Sequence, residues 1–226
     1  MIVKYATHTH EITDPYKKIL LNAKAAKIKI EPWDNNGTKL VICERKRHPY
    51  TFSVQNDTLT VRPAKNNRFD FLRIGATHSE IRLCVPTSAL DAISVKANVG
   101  QVELSSLNCN GAIEIQINTG DVHLENVRCI SLTSKGNCGC ISLNNLIAKT
   151  AISIKRNTGK VLLNDCTTPE IFVKTNTGKV CGRLASNTAF AVRTNTGKIA
   201  LPKTPVGEVI GTRCEITTNT GAIQFE

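Results

Sequence analysis

Four side chains that could carry acid–base chemistry lie close together in the sequence: Glu103, Asp121, His123 and Glu125. They alternate with apolar residues, as outward-facing side chains of strands do. If their strands stack, Asp121 and Glu103 are about 8 Å apart, a separation that suits an inverting glycosidase. An exposed convex strand, however, offers neither a cleft nor desolvation of a carboxylate. We therefore interpret them as solvated side chains and predict a protein that is not an enzyme.

Metal and cofactor sites are also poorly supported. His8, His10 and Glu11 form an incomplete ligand set, and the pair Cys138 and Cys140 has no second pair to complete a zinc site. The glycines open strands and not helices, so no phosphate-binding loop is expected. We predict no catalytic residue, no metal and no cofactor.

A basic row is the strongest candidate for binding. Lys160, Lys179 and Lys198 each follow a glycine in three successive repeat units, and the chain has a formal charge of +11. Stacking would place these ammonium groups about 4.8 Å apart. Further cations lie on the same units: Arg156, Arg193, Lys155, Lys174 and Arg183.

Two interpretations of this basic row stay open, a solvated face and a surface that binds a polyanion or a protein partner. For the second, the predicted binding residues are Lys160, Lys179, Lys198, Arg156 and Arg193. Aromatic residues are only 4% of the chain, which disfavours nucleic acid because single strands are held by stacking on aromatic rings.

These residues are organised by a repeat in which an Asn lies two positions before a Gly. The seven pairs are Asn98/Gly100, Asn118/Gly120, Asn137/Gly139, Asn157/Gly159, Asn176/Gly178, Asn195/Gly197 and Asn219/Gly221. Successive glycine numbers differ by 20, 19, 20, 19, 19 and 24. Such a period is typical of a repeat architecture.

Apolar residues alternate with polar ones on both sides of each Gly, so each unit is two short strands that meet at a corner. The predicted inward columns include Val122, Leu124, Ile141, Leu143, Val161 and Leu163. Stacking the units buries these columns. The predicted fold class is all-β: a single-stranded parallel β-solenoid with coils of about 19–20 residues and irregular N-terminal opening coils.

The corner residues have a structural explanation. Gly supplies the positive φ of a tight corner, and the Asn amides of successive coils can pair in a ladder. We therefore assign all seven Asn/Gly pairs to turns and not to ligand binding.

Residues 1–97 lack the strict motif but alternate in the same way, as in Ile28/Ile30, Leu59/Val61 and Ile81/Leu83. We predict one continuous domain in which 1–97 form irregular N-terminal coils or a cap and 98–226 form the regular repeats. Residues 16–21 fit a helix start or a strand equally well.

Composition bears on location. Nine cysteines are an odd number and are scattered, which favours reduced, mostly buried thiols. No apolar run has the length of a signal-peptide core or a membrane span. The sequence predicts a cytoplasmic protein.

The Lys18-Ile19, Ile28–Ile30, Leu59–Val61 and Ile81–Pro86 strands are followed by the Asn-Thr-Gly-x-Val/Ile units. In this order the chain resembles a widespread bacterial β-solenoid family of unknown function, commonly labelled "putative adhesin". The resemblance spans nearly the whole chain. It implies a fold and no catalytic residues.

The last residues suggest self-association. Phe225 is the final inward position, and the sequence printed here ends at Glu226. A bare last coil would expose unpaired strand edges and apolar interior. We predict a homo-oligomer formed through Phe225 and the C-terminal coil. The predicted function is a non-enzymatic interaction or assembly module, and the alternative is a surface adhesin or carbohydrate-active protein.

Overall fold

The computed structural model describes residues 5–45, 49–64, 79–203 and 211–226, which form strands and contain no helix. The strands are β1 (Tyr5–Ile12), β2 (Lys18–Trp33), β3 (Thr38–Arg45), β4 (Tyr50–Gln55), β5 (Thr58–Pro63), β6 (Ser79–Pro86), β7 (Ala92–Ser105), β8 (Ala112–Cys138), β9 (Ile141–Thr158), β10 (Val161–Asn164), β11 (Glu170–Thr177), β12 (Val180–Arg183), β13 (Thr188–Thr196), β14 (Ile199–Ala200), β15 (Thr212–Thr220) and β16 (Ile223–Phe225). The predicted all-β class is confirmed. Within these ranges no helix has the length and apolarity to cross a membrane.

The repeat units stack as coils in parallel register. Val102 lies beside Val122, and Val122 lies beside Ile141 on the following coil. The same register continues from Ile141 to Val161 and from Val161 to Val180. Each coil therefore places an aliphatic side chain directly against the equivalent side chain of its neighbour.

The predicted inward columns are confirmed. Each of six residues is at most 1% exposed: Val122, Leu124, Ile141, Leu143, Val161 and Leu163. They belong to one continuous apolar cluster that extends from Ile12 to Phe225. The core is narrow and aliphatic, as expected for residues that alternate inward and outward along strands.

The N-terminal strands make the sheet mixed. β1 pairs with β3 and β3 with β6 in antiparallel fashion, whereas β2 runs parallel to β5, β6 and β7. β4 and β5 form a hairpin around Asn56 and Asp57, whose φ values of 49° and 57° fit a two-residue turn. The expectation of a purely parallel sheet misses these reversals. Residues 18–21, left open between helix and strand, are strand.

The last coil along the chain is not the last coil of the stack. β16 lies between β12 and β14: Ile223 is beside Val180 on one side and Ile199 on the other. Phe225 is 4% exposed, with its ring centroid 5.1 Å from that of Phe190. The prediction that Phe225 forms an open end is therefore wrong, because the outer coil (β13 and β14) covers the inserted coil (β15 and β16).

The irregular repeat spacing explains this order. Gly197 and Gly221 are 24 residues apart, whereas the other corner glycines are 19 or 20 apart. β15 and β16 follow β13 and β14 in the chain but lie before them in the stack, and the longer spacing between Gly197 and Gly221 accompanies this change of order. The inserted coil gains strand partners on both sides, β11 and β13.

Close backbone contact defines the glycine corner. Gly159 has φ +144°, and a Cβ there would lie 2.0 Å from the Gly139 carbonyl oxygen. Gly178, with φ +153°, would place a Cβ 1.9 Å from the Gly159 oxygen. The predicted positive φ is confirmed at both positions, and the space excludes any side chain.

The first two corners are bends inside continuous strands, so the assignment of Gly100 and Gly120 to turns is wrong. Gly100 lies within β7 and Gly120 within β8, and the two glycines are in register with each other. Gly100 is also paired with Ala26 of β2. Pairing with the neighbouring coils continues through the bend, where φ is +142° and +138°, and therefore the strand changes direction without ending.

At the later corners the strands do end beside the glycine, as at Gly139 between β8 and β9 and at Gly159 between β9 and β10. The Asn of every pair lies on the strand that leads into the corner and not in a turn, from Asn98 on β7 to Asn219 on β15. Sequence alone did not distinguish a bend from a turn, because Gly permits the positive φ that both require.

The Asn ladder at this corner is present where hydrogen bonds join Asn118 to Asn98 at 3.2 Å, Asn137 to Asn118 at 2.7 Å and Asn195 to Asn219 at 2.6 Å. A second corner follows six residues after the Gly. There φ is +50° to +54° at Ser106, Asn126, Asn145 and Asp165. Asn and Asp tolerate this region, so the second corner needs no glycine.

We predict that Leu143→Ala lowers the free energy of unfolding by about 2–5 kcal/mol, because Leu143 is fully buried in the stacked column. Urea unfolding of the parent and the variant measures this. Lys160→Ala, at an exposed position, is the control. A loss below about 0.5 kcal/mol for Leu143→Ala would contradict the inward assignment.

We also predict that Gly159→Ala destabilises by roughly 2–4 kcal/mol, because strain at positive φ adds to the contact with the Gly139 carbonyl. The same urea experiment applies, with the adjacent Lys160→Ala expected to change stability by less than about 0.5 kcal/mol. Equal effects of the two substitutions would show that the corner does not constrain the stack.

Candidate functional site

An open groove of about 1110 Å³ runs along the stack beside the Asn ladder. One wall is the ladder. The other is the column of outward side chains four residues before each corner Gly, with Asn22 of β2 in register at its start. In stack order the column is Asn22, Lys96, Gln116, Lys135, Lys155, Lys174, Thr217 and Arg193. We call this feature the basic groove.

The strand pairing holds three lysines of the basic groove on successive coils. Lys135 is in register with Lys155, and Lys155 with Lys174. Neighbouring coils are about 4.8 Å apart, so their ammonium groups form a row of like charges. Lys96 and Arg193 extend the row toward its two ends. The described residues that line the groove include no carboxylate, so the lining attracts anions along its length.

The predicted basic residues divide between two faces. Arg156 and Arg193 line the basic groove, but Lys160, Lys179 and Lys198 do not. Lys160 and Lys179 are neighbours, one position before the paired Val161 and Val180. Lys198 is separated from Lys179 by the inserted coil, so the predicted row of three successive lysines is wrong. Lys179 also donates a hydrogen bond to Gln224 Oε1 at 2.8 Å.

Arg156 is the one strongly basic side chain turned inward at the groove floor in the described part of the chain, and it is only 4% exposed. Its Nη1 donates to the Ile117 carbonyl oxygen at 3.1 Å, two coils away. Gly136 makes the room, since a Cβ there would lie 1.9 Å from Nη1. Burial lowers the pKa of the Arg156 guanidinium, and nearby Asp121 offsets part of that effect.

Polar atoms without partners surround this floor. Arg156 Nε and Nη2 have no hydrogen-bond partner among the described residues, and neither do the hydroxyls of Thr175 and Thr218, which line the same groove. Thr175 is in register with Arg156, and Thr218 with Thr175. Buried polar groups in native proteins are nearly always paired with protein, water or ligand. This concentration marks the groove floor as a functional candidate.

Sequence reasoning missed the groove as a site. It did not include Lys96 and Lys135, and it treated Lys155 and Lys174 only as neighbours of the predicted row. The available signal is a basic residue four positions before the Gly in five of the seven repeats. The lysines directly after the Gly occur in three successive repeats, so they are the more obvious binding candidates in the sequence. Which column of side chains borders the groove depends on how the coil bends, and the sequence does not show that bend.

The acidic cluster does not form a free carboxylate pair. Glu103 lies beside His123 in the register, and its carboxylate pairs with Lys27 Nζ at 3.2 Å. Asp121 accepts a hydrogen bond from the Cys140 backbone nitrogen at 2.7 Å. Both carboxylates thus have partners within the stack.

His8 and His10 lie on β1 with Glu11, and their rings are 6.3 Å apart. His10 also contacts the Phe52 ring at 4.8 Å. In the part of the chain that the structure describes, no three His, Cys, Asp or Glu side chains are grouped to hold a metal ion.

All nine cysteines are free thiols. Five are buried, while Cys138 and Cys140 are exposed on either side of the Gly139 corner. Burial raises the pKa of the Cys129, Cys166 and Cys214 thiols to about 12. These three therefore act as small apolar core residues, whereas the CxC pair is open to reagents.

The stacked coils and the mixed sheet define a β-solenoid-like protein. The chain belongs to the Toastrack DUF4097 family, whose model matches residues 16–224. No curated protein matches this chain.

Several solved structures are similar to this chain at low identity, and one of them has a TM-score above 0.5 among those named here. A "putative adhesin" from Bacteroides fragilis is 19% identical with a TM-score of 0.58, and the match covers 99% of this chain and 97% of that one. A "putative adhesin" from Parabacteroides distasonis is 13% identical with a TM-score of 0.49, over 98% and 97% of the two chains. A "putative lipid binding protein" from the same organism is 14% identical with a TM-score of 0.41, over 97% and 96%. At these identities the likeness concerns the fold.

We predict that iodoacetamide at pH 8 labels Cys138 and Cys140 in the native protein but not Cys129, Cys166 or Cys214. The buried thiols stay protonated because their pKa is about 12, well above the pH, and they are covered. Mass spectrometry of peptides locates the label, and the protein labelled in denaturant is the control. Native labelling of Cys166 would contradict the packing.

Proposed function

We propose that the chain is a non-enzymatic interaction module in which a parallel β-solenoid of 19–20-residue coils presents the basic groove to an anionic partner. The observation that carries this proposal is the column of Lys135, Lys155 and Lys174 in register on three successive coils, with no carboxylate among the described lining residues. Like charges side by side on strands repel, so an anion bound along the column relieves the repulsion.

Rigidity supports an interaction role. The lysine side chains project from strands whose register is held by backbone pairing and by the close contacts of the glycine corner. The backbone therefore fixes the spacing of the lysine attachment points before a partner binds, and such preorganisation favours affinity. The module is thus suited to a linear anionic partner that lies along the stack.

The non-enzymatic part of the proposal rests on the acidic residues. Glu103 and Asp121 lie on outward strand positions, and each carboxylate has a partner, Lys27 or the Cys140 amide. Acid–base hydrolysis of a glycan needs one protonated and one ionised carboxyl group facing each other across the scissile bond. The partners that Glu103 and Asp121 hold within the stack support the non-enzymatic proposal.

The alternative is a surface adhesin or a carbohydrate-active protein. The printed name of the Bacteroides fragilis structure supports the adhesin alternative, and that name describes that protein. Both alternatives share with the main proposal the need for a binding surface, and the basic groove would supply it. A glycan array with the purified chain tests this branch directly.

We predict that a Lys135/Lys155/Lys174→Gln triple variant elutes from a heparin column at clearly lower salt than the parent. The matched control is Lys160/Lys179/Lys198→Gln, which removes the same three charges outside the groove. Because exposed charges are screened by salt, the elution position reports on the local electrostatic attraction. The control should elute close to the parent.

Equal shifts for both triple variants would show that heparin senses net charge only, and would contradict the groove as the site. An unchanged elution of the groove variant would contradict it as well. Circular dichroism of each variant checks that the strands are retained.

A further inference from the structure

The Arg156 side chain holds a charge that the described protein leaves without a counter-ion in direct contact. Its Nη1 is bound to the Ile117 carbonyl, but Nε and Nη2 have no partner among the described residues, and the residue is 4% exposed. A buried charge without a partner is strongly unfavourable. The unpaired edge of Arg156 is therefore expected to cost stability in the unliganded fold, and a role in binding would explain why it is there.

Arg183 shows what the edge of a guanidinium formed by Nε and Nη2 binds in this protein. Arg183, at the second corner, uses Nε and Nη2 to hold both carboxylate oxygens of Asp165, at 3.1 Å and 2.8 Å. Such paired, charge-assisted hydrogen bonds are the strong and geometrically specific ones. The equivalent edge of Arg156 has the same two donors, and its chemistry matches an oxyanion with two oxygens in one plane.

Arg156 can reach the basic groove. It lines the groove floor, with Gly136 beside it and Lys135, Lys155 and Lys174 on the adjacent outward positions. The Nε–Nη2 edge is covered in this structure, so a ligand reaches it only when the side chain turns toward the groove. Turning breaks one protein hydrogen bond, to Ile117, and gives the buried charge a counter-ion.

We propose that Arg156 is the anchor of the basic groove: it turns outward to take one carboxylate or sulfate group of a linear anionic polysaccharide through Nε and Nη2. Lys135, Lys155 and Lys174 neutralise the neighbouring charged groups of the same chain. This inference rests on the proposed function and adds to it the class of ligand and the residue that selects it.

The lining favours a polysaccharide over a nucleic acid. No aromatic side chain is among the described residues that line the groove, so bases have no surface for stacking. The groove instead offers the amides of the Asn ladder and Gln116 and the hydroxyl of Thr217, groups that can hydrogen-bond sugar hydroxyls.

The test compares Arg156→Met with Arg183→Met, a matched control that removes the same charge from an arginine outside the groove. Dissociation constants for size-defined heparin and polygalacturonate oligosaccharides are measured at fixed low salt. We expect Arg156→Met to weaken binding about tenfold or more and Arg183→Met to stay within about twofold. Arg156→Lys, which keeps the charge but lacks the paired edge, should also weaken binding.

Thermal unfolding without ligand separates an anchor from a structural residue. Because the guanidinium is buried with Nε and Nη2 unpaired among the described residues, Arg156→Met should unfold at a temperature no lower than the parent. If Arg156→Met instead lowers the unfolding temperature and leaves the affinity unchanged, Arg156 is structural and the inference is overturned.

A measurement on the unmodified protein covers the case in which a variant does not fold. In ¹⁵N NMR spectra the Arg156 Nε–H signal should shift when heparin saturates the protein, and the Arg183 signal should not. An unshifted Arg156 signal at saturation overturns the anchor role.

The outcomes distinguish the two proposals. If the Lys135/Lys155/Lys174→Gln variant binds as the parent does, the basic groove is not the site and both proposals fail. If that variant binds weakly while Arg156→Met binds normally, only the anchor role fails. Oligodeoxythymidylate of equal charge is the third ligand, and Arg156-dependent binding of it as tight as that of heparin would overturn the choice of a polysaccharide.

Discussion

Backbone contact at the glycine corner is the constraint on which the rest of the structure depends. At each stacked corner a Cβ would lie 1.7–2.1 Å from a carbonyl oxygen of the neighbouring coil. The coils can approach to strand spacing only because these positions have no side chain. This contact sets the register, and the register places every other column, apolar or charged.

The in-register stack makes the core and the basic groove consequences of the same geometry. Inward positions align aliphatic side chains such as Leu124, Leu143 and Leu163 into one apolar cluster. Outward positions align like charges by the same rule, which is unfavourable unless something neutralises them. When coils stack in register, a residue type that recurs at one outward position of the repeat therefore forms a continuous row on the surface.

Arg156 shows where stability and binding oppose each other. Arg156 lies at an inward position. Gly136 has no side chain, and this leaves the space that the Arg156 guanidinium occupies. Protein interiors seldom leave a guanidinium edge unpaired, and such groups concentrate at functional sites. The adjacent hydroxyls of Thr175 and Thr218, also unpaired among the described residues, extend the same polar column.

The repeat, the corner and the inward columns could be predicted from the residues alone, because a period of 19–20 residues and a period-2 alternation are local properties that any stacked arrangement must satisfy. The alternation predicted that Leu143 and Val161 lie in the core, and the recurrence of Gly159 and Gly178 predicted positive φ there.

The order of the coils could not be predicted in this way. The inserted coil carries the same motif as the others and would fit either beside β12 or beyond β14, so its place depends on tertiary packing. That order separated Lys179 from Lys198 and buried Phe225. It also decided that the groove is lined by the residues four positions before each Gly, because which outward column borders a concave surface depends on how the coil bends and not on residue type.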